Sequence, residues 1–549
     1  MAFSTVLYIA RSAIRAENND ALIEAIQSAN SFNLPLCVLI FLPEHLSARK
    51  LAFLLEGVRE MIDGCVERDC SVALFSSSQV VPVLNFYTDK AAEVFLDSSY
   101  LPEELGFDTA VFSRFGPRAR VISTSTIVPP QRIVNTQTYT AFLPRANAVL
   151  STYLSLSEDP SEGLSFVNSK KMAPFPPIEK LDPTDHTLIP RFALDVGVPP
   201  ANGWQGGLSS ARVRLHYFLE ELAHYPDALA TPNSGKTSRL SPWLAEGQIS
   251  PSEVVLAAQT YVAQLSEPAR SEAAVGLKKF IESVYVFREL QFNFLYHNQE
   301  HYRRMLNLPY NAAIYDVGTA LLQALPEWSR ETLIDHAGDS RPLETNPALV
   351  EAGRTPDDVW NMTHRLFMSS GFLSPCLRTY WARKMLEFFS TPEEALGMCW
   401  RLNNRYCLDG GPTAMSSMLS AFGLFFNPDR TERPIYGVCH TADEALDSNV
   451  GIEKRRKRSI SQLESGKFPR KFDPIKFVHE TELAIEENFI GVHTDDCAGI
   501  GLEHMVSRRG EHGILEDEDA NEVLHLPGSP RQRFMDTSRL RSLSHLEQP

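Results

Sequence analysis

Residues 360–411 read WNMTHRLFMSSGFLSPCLRTYWARKMLEFFSTPEEALGMCWRLNNRYCLDGG, and no other stretch of the chain gathers Trp, Arg, Asn and Asp so densely. Apolar residues recur at helical spacing: Val359, Met362, Leu366 and Phe367, then Leu377, Tyr380, Trp381, Met385 and Phe388. That period predicts two amphipathic helices on either side of the breaker Ser369-Ser370-Gly371. A third helix is predicted to begin at Ser390-Thr391-Pro392-Glu393-Glu394, which supplies a hydroxyl cap, a proline in the first turn and carboxylates near the positive helix end. Trp381 and Phe388 lie about two turns apart and therefore share a face.

Upstream of this stretch, from Gly207, the pattern is helix after helix, including 211–224, 250–264, 272–298 and 357–369. Before Gly207 the pattern is different. Val6–Ala10, Leu36–Leu42 and Val72–Phe75 are short apolar runs of the kind buried in parallel sheets, and helical patterns at 21–29 and 51–65 separate them. Further strands are predicted at Ala92–Leu96, Ala110–Phe112 and Ile127–Val128. The expected fold class is therefore α/β: an N-terminal doubly wound, Rossmann-like α/β domain at 1–156, followed by an all-helical domain at 207–482. Residues 157–206, rich in Pro, Ser and Asp, read as the linker. A basic insertion falls near 441–469 and an acidic, aromatic-poor tail at 483–549, the composition of a disordered segment.

The 549 residues are too many for one ordinary core, and 43% hydrophobic with 22% charged residues is the composition of a water-soluble fold. No apolar run approaches the length of a membrane span, so no membrane partner is expected. The first apolar run, Val6–Ala10, is too short for a signal peptide and has no basic residue before it. Eight cysteines without a CxxC pair speak against a zinc site or a disulfide framework, so no metal is expected, and Cys439-His440 reads as incidental. The net charge of −16 is uneven, because residues 480–549 hold 15 Asp and Glu against 6 Lys and Arg. Arg378, Arg383, Lys384, Arg401 and Arg405 form a local basic group of the kind that contacts phosphates. The run Lys454–Arg458 fits a solvated loop, a nuclear import signal or a phosphate-contacting arm.

No GxGxxG follows the first strand, and Gly235-Lys236-Thr237 lacks both the first glycine and the strand of a P-loop. The run Thr237-Ser238-Arg239-Leu240-Ser241-Pro242 nevertheless places hydroxyls, backbone amides and a guanidinium before a helix, a set suited to a diphosphate or to simple helix capping. The stretch 280–298, FIESVYVFRELQFNFLYHN, is amphipathic, and buried pairing is one reading of its Arg288 and Glu289.

Trp360-Asn361, the GFxxxxxRxYW run from Gly371 to Trp381, Thr391–Ala395 (TPEEA), Leu402–Asn404 (LNN) and Leu408–Gly410 (LDG) stand in an order that resembles the flavin-binding half of class II DNA photolyases, within the photolyase/cryptochrome family. Thr237–Pro242, Arg288-Glu289-Leu290 with Asn293-Phe294, Glu432–Gly437 and Arg470–Pro474 extend the likeness. So does the opening segment with Arg11, Arg15, Glu17-Asn18-Asn19 and Ala21-Leu22. Together they cover most of residues 1–480.

The resemblance implies a light-driven flavoprotein that repairs cyclobutane pyrimidine dimers in UV-damaged DNA, with FAD in the helical domain and an antenna chromophore of deazaflavin or folate type on the α/β domain. It implies that Thr237, Ser238, Arg239, Leu240 and Ser241 hold the flavin diphosphate, and that Arg288, Arg378, Asn403 and Asp409 surround the flavin. Asn403 would sit beside N5 of the ring. Glu282 or Glu289 would be the carboxylate that faces substrate, and Trp360 and Trp381 two members of an electron relay. Core packing is the alternative for both tryptophans.

The sequence departs from that pattern at Leu373-Ser374-Pro375, at Gly411-Pro412-Thr413-Ala414 and at Phe388, where the relay would end in Trp. These departures leave two further readings, a cryptochrome-like light sensor and a homologue that binds DNA or protein without catalysis. The acidic tail offers a surface for a protein partner.

Overall fold

The computed structural model describes residues 3–44, 46–100, 102–156, 165–201, 203–230, 235–300, 312–410 and 412–447. The basic run Lys454–Arg458, the Arg470–Pro474 match and the acidic tail lie outside the described residues.

Five strands, β1 (Thr5–Ala10), β2 (Leu36–Leu42), β3 (Ser71–Ser76), β4 (Ala91–Asp97) and β5 (Ala119–Ile122), form one sheet in the order β3-β2-β1-β4-β5. Every pairing is parallel. Parallel neighbours need crossovers, and helices α1 (Asp20–Phe32), α2 (Ala48–Glu67), α3 (Val80–Tyr87) and α4 (Pro102–Phe115) provide them. Side-chain alternation along β1 divides the core. Val6, Tyr8 and Ala10 pack with α1 and α2 on one face, and Leu7 and Ile9 pack with α3 and α4 on the other. Caps set the helix starts: the Asn19 side chain accepts from the amide of Leu22 and that of Ser47 from the amide of Lys50.

Two expected strands are corrected. Ala110–Phe112 lies inside α4, where Val111 and Phe115 are buried against the sheet. The fifth strand is Ala119–Ile122, an edge strand that carries Arg120, ion-paired to Glu93 at 2.7 Å. Ile127–Val128 is not a strand either. Its backbone leaves the sheet and its side chains join the core of the helical domain, together with Ile133, Phe142 and Ala146.

The helical part runs through Leu208–Glu220, Pro251–Gln264, Ala269–Ile281, Arg288–His297 and Asp358–Ser370. Between Ile281 and Arg288 the helix widens into a π-turn, Glu282–Phe287. Helices Pro375–Phe388 and Pro392–Tyr406 follow as the periodicity predicts. Gly371, at φ +70°, ends the Asp358 helix in a left-handed cap. Thr391 caps the third helix, accepting from the Glu394 amide at 3.3 Å. Among the described residues no helix is long and apolar enough to cross a membrane.

Polar contacts from α2 and from the loop after β1 join the two parts. Arg49, 3% exposed, donates to the carbonyls of Pro199 (3.0 Å), Tyr406 (3.1 Å) and Met368 (2.7 Å). Arg15 donates to the Gly247 carbonyl at 2.8 Å and Asn18 to Glu253 at 2.7 Å. Arg212 bridges Glu17 and Glu253. Gly247 has φ +62°, and a Cβ there would collide with the Ser12 carbonyl, so glycine permits this close approach. The opening segment that resembles the family's is thus engaged in joining the domains. Beside it, Asp97 at the end of β4 accepts from the amides of Arg11 (2.8 Å), Ser12 (2.6 Å) and Ala13 (2.6 Å) at the point where the strand order reverses.

Candidate functional site

The centre of the helical domain is built where the Pro375 and Pro392 helices meet the turn that follows them. The amide of Cys407 bonds the Asn403 carbonyl at 2.9 Å and that of Leu408 bonds Gly371 at 2.9 Å, which folds Asp409 back against the Pro375 helix. Arg378 then reaches both carboxylate oxygens of Asp409, at 2.8 and 3.0 Å. The Cys407 thiol donates to the same carboxylate at 2.6 Å, and Ser241 adds a further side-chain hydrogen bond. Burial alone would raise the Asp409 pKa, but the Arg378 charge and these donors outweigh it and hold the carboxyl below its ordinary value. Burial likewise pushes Cys407 up, so it remains a thiol.

Asn403 is 1% exposed, and its Nδ2 has no hydrogen-bond partner among the described residues. A buried amide donor without an acceptor costs roughly 1–3 kcal/mol. Gly410 lies beside it, and a Cβ there would come 3.6 Å from Nδ2.

Ser241 links this centre to the Thr237–Ser241 loop. Arg239 takes a left-handed backbone, φ +53°. Arg214, from the Leu208 helix, donates to the carbonyls of Ser238 (2.9 Å) and Thr237 (2.6 Å) and so braces the loop. Burial first, and then the like charge of Arg239, pull Arg214 down to about 9. Two guanidiniums this close favour an anion between or beside them. Lys50, arriving from α2, hydrogen-bonds the Gly410 carbonyl and pairs with Glu246 at 3.1 Å.

Trp360 and Trp381 are buried and stacked, with centroids 6.1 Å apart and planes 12° apart. Phe388 meets the edge of Trp360 at 5.1 Å. Sequence reasoning passed over His364, which stacks on Trp360 at 4.8 Å. A signal was present, since His364 is one turn from Trp360. Arg214 and Lys50 gave no comparable signal, because both arrive from remote elements.

The remaining named residues stand in other surroundings. Glu289, 2% exposed, accepts from the amides of Ile127 and Val128 (3.1 Å to Val128) and so holds the strap between the domains. Burial pushes it up to about 8. Arg288 donates to the carbonyls of Ser125 (2.7 Å) and Leu244 (3.3 Å), so the two residues serve the same strap by separate bonds. Glu282 pairs with Lys279 at 2.9 Å near the surface. The expected local basic group is also corrected. Arg378 pairs with Asp409, Arg383 donates to the carbonyls of Ala421 and Thr441, Lys384 pairs with Asp357 and Glu387, and Arg405 pairs with Asp195 and Glu351. Of the five only Arg401 is exposed. Near Cys439-His440, Asp429, His440 and Glu444 approach one another, but Arg433 already pairs with both carboxylates at 2.7 and 2.8 Å.

Fold and site together define a two-domain protein: a doubly wound α/β sheet latched onto an all-helical domain whose centre holds a buried ion pair and an unmatched amide. Residues 6–163 match the DNA photolyase family model. Over 463 residues the chain is 27% identical to a deoxyribodipyrimidine photo-lyase of Methanothermobacter thermautotrophicus, covering 82% of this chain and 93% of that relative. Its fold is similar to that of a Synechocystis cryptochrome (TM-score 0.57, 14% identity, 88% of this chain and 100% of that one). It is also similar to that of an archaeal photolyase from Sulfolobus tokodaii with two FAD molecules (TM-score 0.53, 14% identity, 88% and 99%). Residues 6–163 thus match the DNA photolyase model, and over most of its length the chain is similar to deoxyribodipyrimidine photo-lyases.

Proposed function

We propose that this protein is a class II-type DNA photolyase that binds FAD in its helical domain and uses light to split cyclobutane pyrimidine dimers in DNA. The observation that carries the reading is the buried Nδ2 of Asn403, a donor for which the described residues supply no acceptor. A flavin ring nitrogen is an acceptor of the right kind, and an amide can serve that nitrogen whether or not it is protonated. The donor set around it agrees. Arg378 and Asp409 present a fixed pair of charges to a ring system, and Thr237, Ser238 and Arg239, braced by Arg214, suit a diphosphate.

Bound FAD would supply a photoexcited one-electron donor, chemistry that no side chain can perform. The chain's own part is to bind, orient and exclude water. Arg378, Cys407 and Ser241 keep Asp409 ionised, and Asn403 directs one proton donor at a single position. The dimer would have to leave the base stack to reach this depth. Glu289 faces the domain strap and Glu282 lies beside Lys279, so each of the two carboxylates is already engaged within the chain. That engagement, with Leu373-Ser374-Pro375 and Gly411–Ala414, favours a second reading in which flavin is kept and the chain works as a light sensor.

The test is a gel-filtration experiment on full-length protein incubated with excess FAD, followed by blue-light treatment of UV-irradiated DNA. Retained yellow colour and falling dimer content are expected. Paired Thr237→Ala and Arg239→Ala substitutions should release the flavin. A colourless wild-type protein would refute FAD binding. A yellow protein that leaves dimers intact would refute repair and favour the sensor.

A further inference from the structure

The ring cluster around Trp360 contains a titratable group that flavin binding leaves unused. Trp381 donates its indole N–H to Nδ1 of His364 at 3.2 Å, and Nε2 of the same imidazole lies 3.1 Å from the Glu351 carbonyl oxygen. A carbonyl can only accept, so Nε2 carries the hydrogen and Nδ1 presents a bare lone pair to the indole. Burial pulls the imidazole down to about 4, which keeps that lone pair available at neutral pH. The planes of His364 and Trp381 are 16° apart, and Trp360 stacks against both. The N–H of Trp360 ends instead on the Trp381 carbonyl at 3.0 Å, a group that cannot take up a proton under these conditions.

We propose that His364 is the proton acceptor for Trp381 when that tryptophan is oxidised. The inference rests on the flavin reading above, with photoexcited oxidised flavin as the oxidant. One electron leaves the Trp381 indole for the flavin. The Trp381 N–H bond then breaks with its electron pair remaining on the indole, and the proton bonds to the Nδ1 lone pair. The products are a neutral indolyl radical, an imidazolium that still donates Nε2–H to Glu351, and a flavin richer by one electron, so charge and atoms balance. Loss of an electron makes an indole N–H strongly acidic, and a buried, aligned base within hydrogen-bond reach is the condition for fast transfer.

The consequence is directional. A neutral radical on Trp381 has no positive hole to pass to Trp360, and beyond Trp360 stands Phe388, a ring much harder to oxidise than indole. Deprotonation would therefore hold the oxidised equivalent on Trp381 instead of passing it to Trp360.

The experiment uses full-length protein loaded with oxidised FAD, a laser flash and transient absorption, which separates neutral from cationic indolyl radicals. Wild type should show the neutral radical, forming more slowly in D2O. His364→Gln keeps an acceptor for the indole N–H but cannot take its proton, and should lose the neutral signal in favour of the cation. A cationic radical in wild type, a neutral one in a folded His364→Gln, or a rate unchanged in D2O overturns the proposal while flavin binding stands. A protein that retains no flavin overturns the flavin reading and the proposal with it. Independently of light and flavin, nitrogen-15 spectra of wild type should show His364 as the Nε2–H tautomer; an Nδ1–H tautomer also overturns it.

Discussion

His364 is neutral in the fold for a reason visible at one residue: burial disfavours its charge and only a weak carbonyl partner opposes that. An unfolded histidine protonates near pH 6.5, so as pH falls the unfolded state takes up a proton before the folded state does. The contribution of this group to stability is fully present above about 6.5 and is lost as pH falls towards about 4, where the loss amounts to roughly 3 kcal/mol. His364→Gln does not titrate. Between about pH 7 and about pH 4.5 the difference in unfolding free energy between wild type and this variant should shift against wild type by roughly 2 kcal/mol, measured by chemical denaturation. A difference that stays constant with pH would show that His364 is not held neutral. Glu289 teaches the complementary lesson. Its place in the motif pointed towards substrate, whereas two backbone amides from a remote strap determine its actual partners.

Helix Asp358–Ser370 shows how one cap serves a larger element. Asp357 accepts from the Trp360 amide at 2.9 Å and pairs with Lys384 at 3.2 Å, so it ties the first helix of the aromatic cluster to the second. Asp357→Asn keeps the cap and loses the charge, whereas Asp357→Ala loses both. The alanine variant should be less stable by about 2–4 kcal/mol and the asparagine variant by about half as much, read from thermal denaturation. Equal losses in the two variants would refute a capping role. The α4 correction also belongs to this scale. The run Ala110-Val111-Phe112 is apolar enough for a strand, but Phe107, Val111 and Phe115 recur every four residues, a helical face against the sheet.

The molecule as a whole depends on α2 lying between the sheet and the helical domain. Arg49 satisfies three carbonyls from separate segments, and a methionine in its place would leave those buried oxygens without donors. Arg49→Met should therefore cost roughly 3 kcal/mol or more and separate the unfolding of the two domains, which would appear as two transitions in calorimetry. A single transition at the wild-type temperature would show that the latch does not couple them. Two of the three carbonyls belong to Met368 and Tyr406, at the ends of helices that carry the candidate site. The same variant is accordingly a structural perturbation of that site as well as of the interface.

What the residues alone determined were the features set by local periodicity and local chemistry. These are the buried parallel strands as apolar runs, the three helices around and after Trp360 with the cap of the third and the glycine stop of the first, and the shared face of Trp381 and Phe388. The residue set of the centre was also legible, because Arg378, Asn403 and Asp409 occur within one stretch. Tertiary structure alone decided which groups meet. Burial withdrew most of the basic cluster from the surface, since a guanidinium or ammonium group removed from water must find a carboxylate or carbonyl. It placed Glu289 on the domain strap, brought Ser241 to Asp409 across more than a hundred residues, and aligned His364 with the indole of Trp381. Such contacts depend on chain crossings and on the cost of burying polar groups without partners, which no local pattern records.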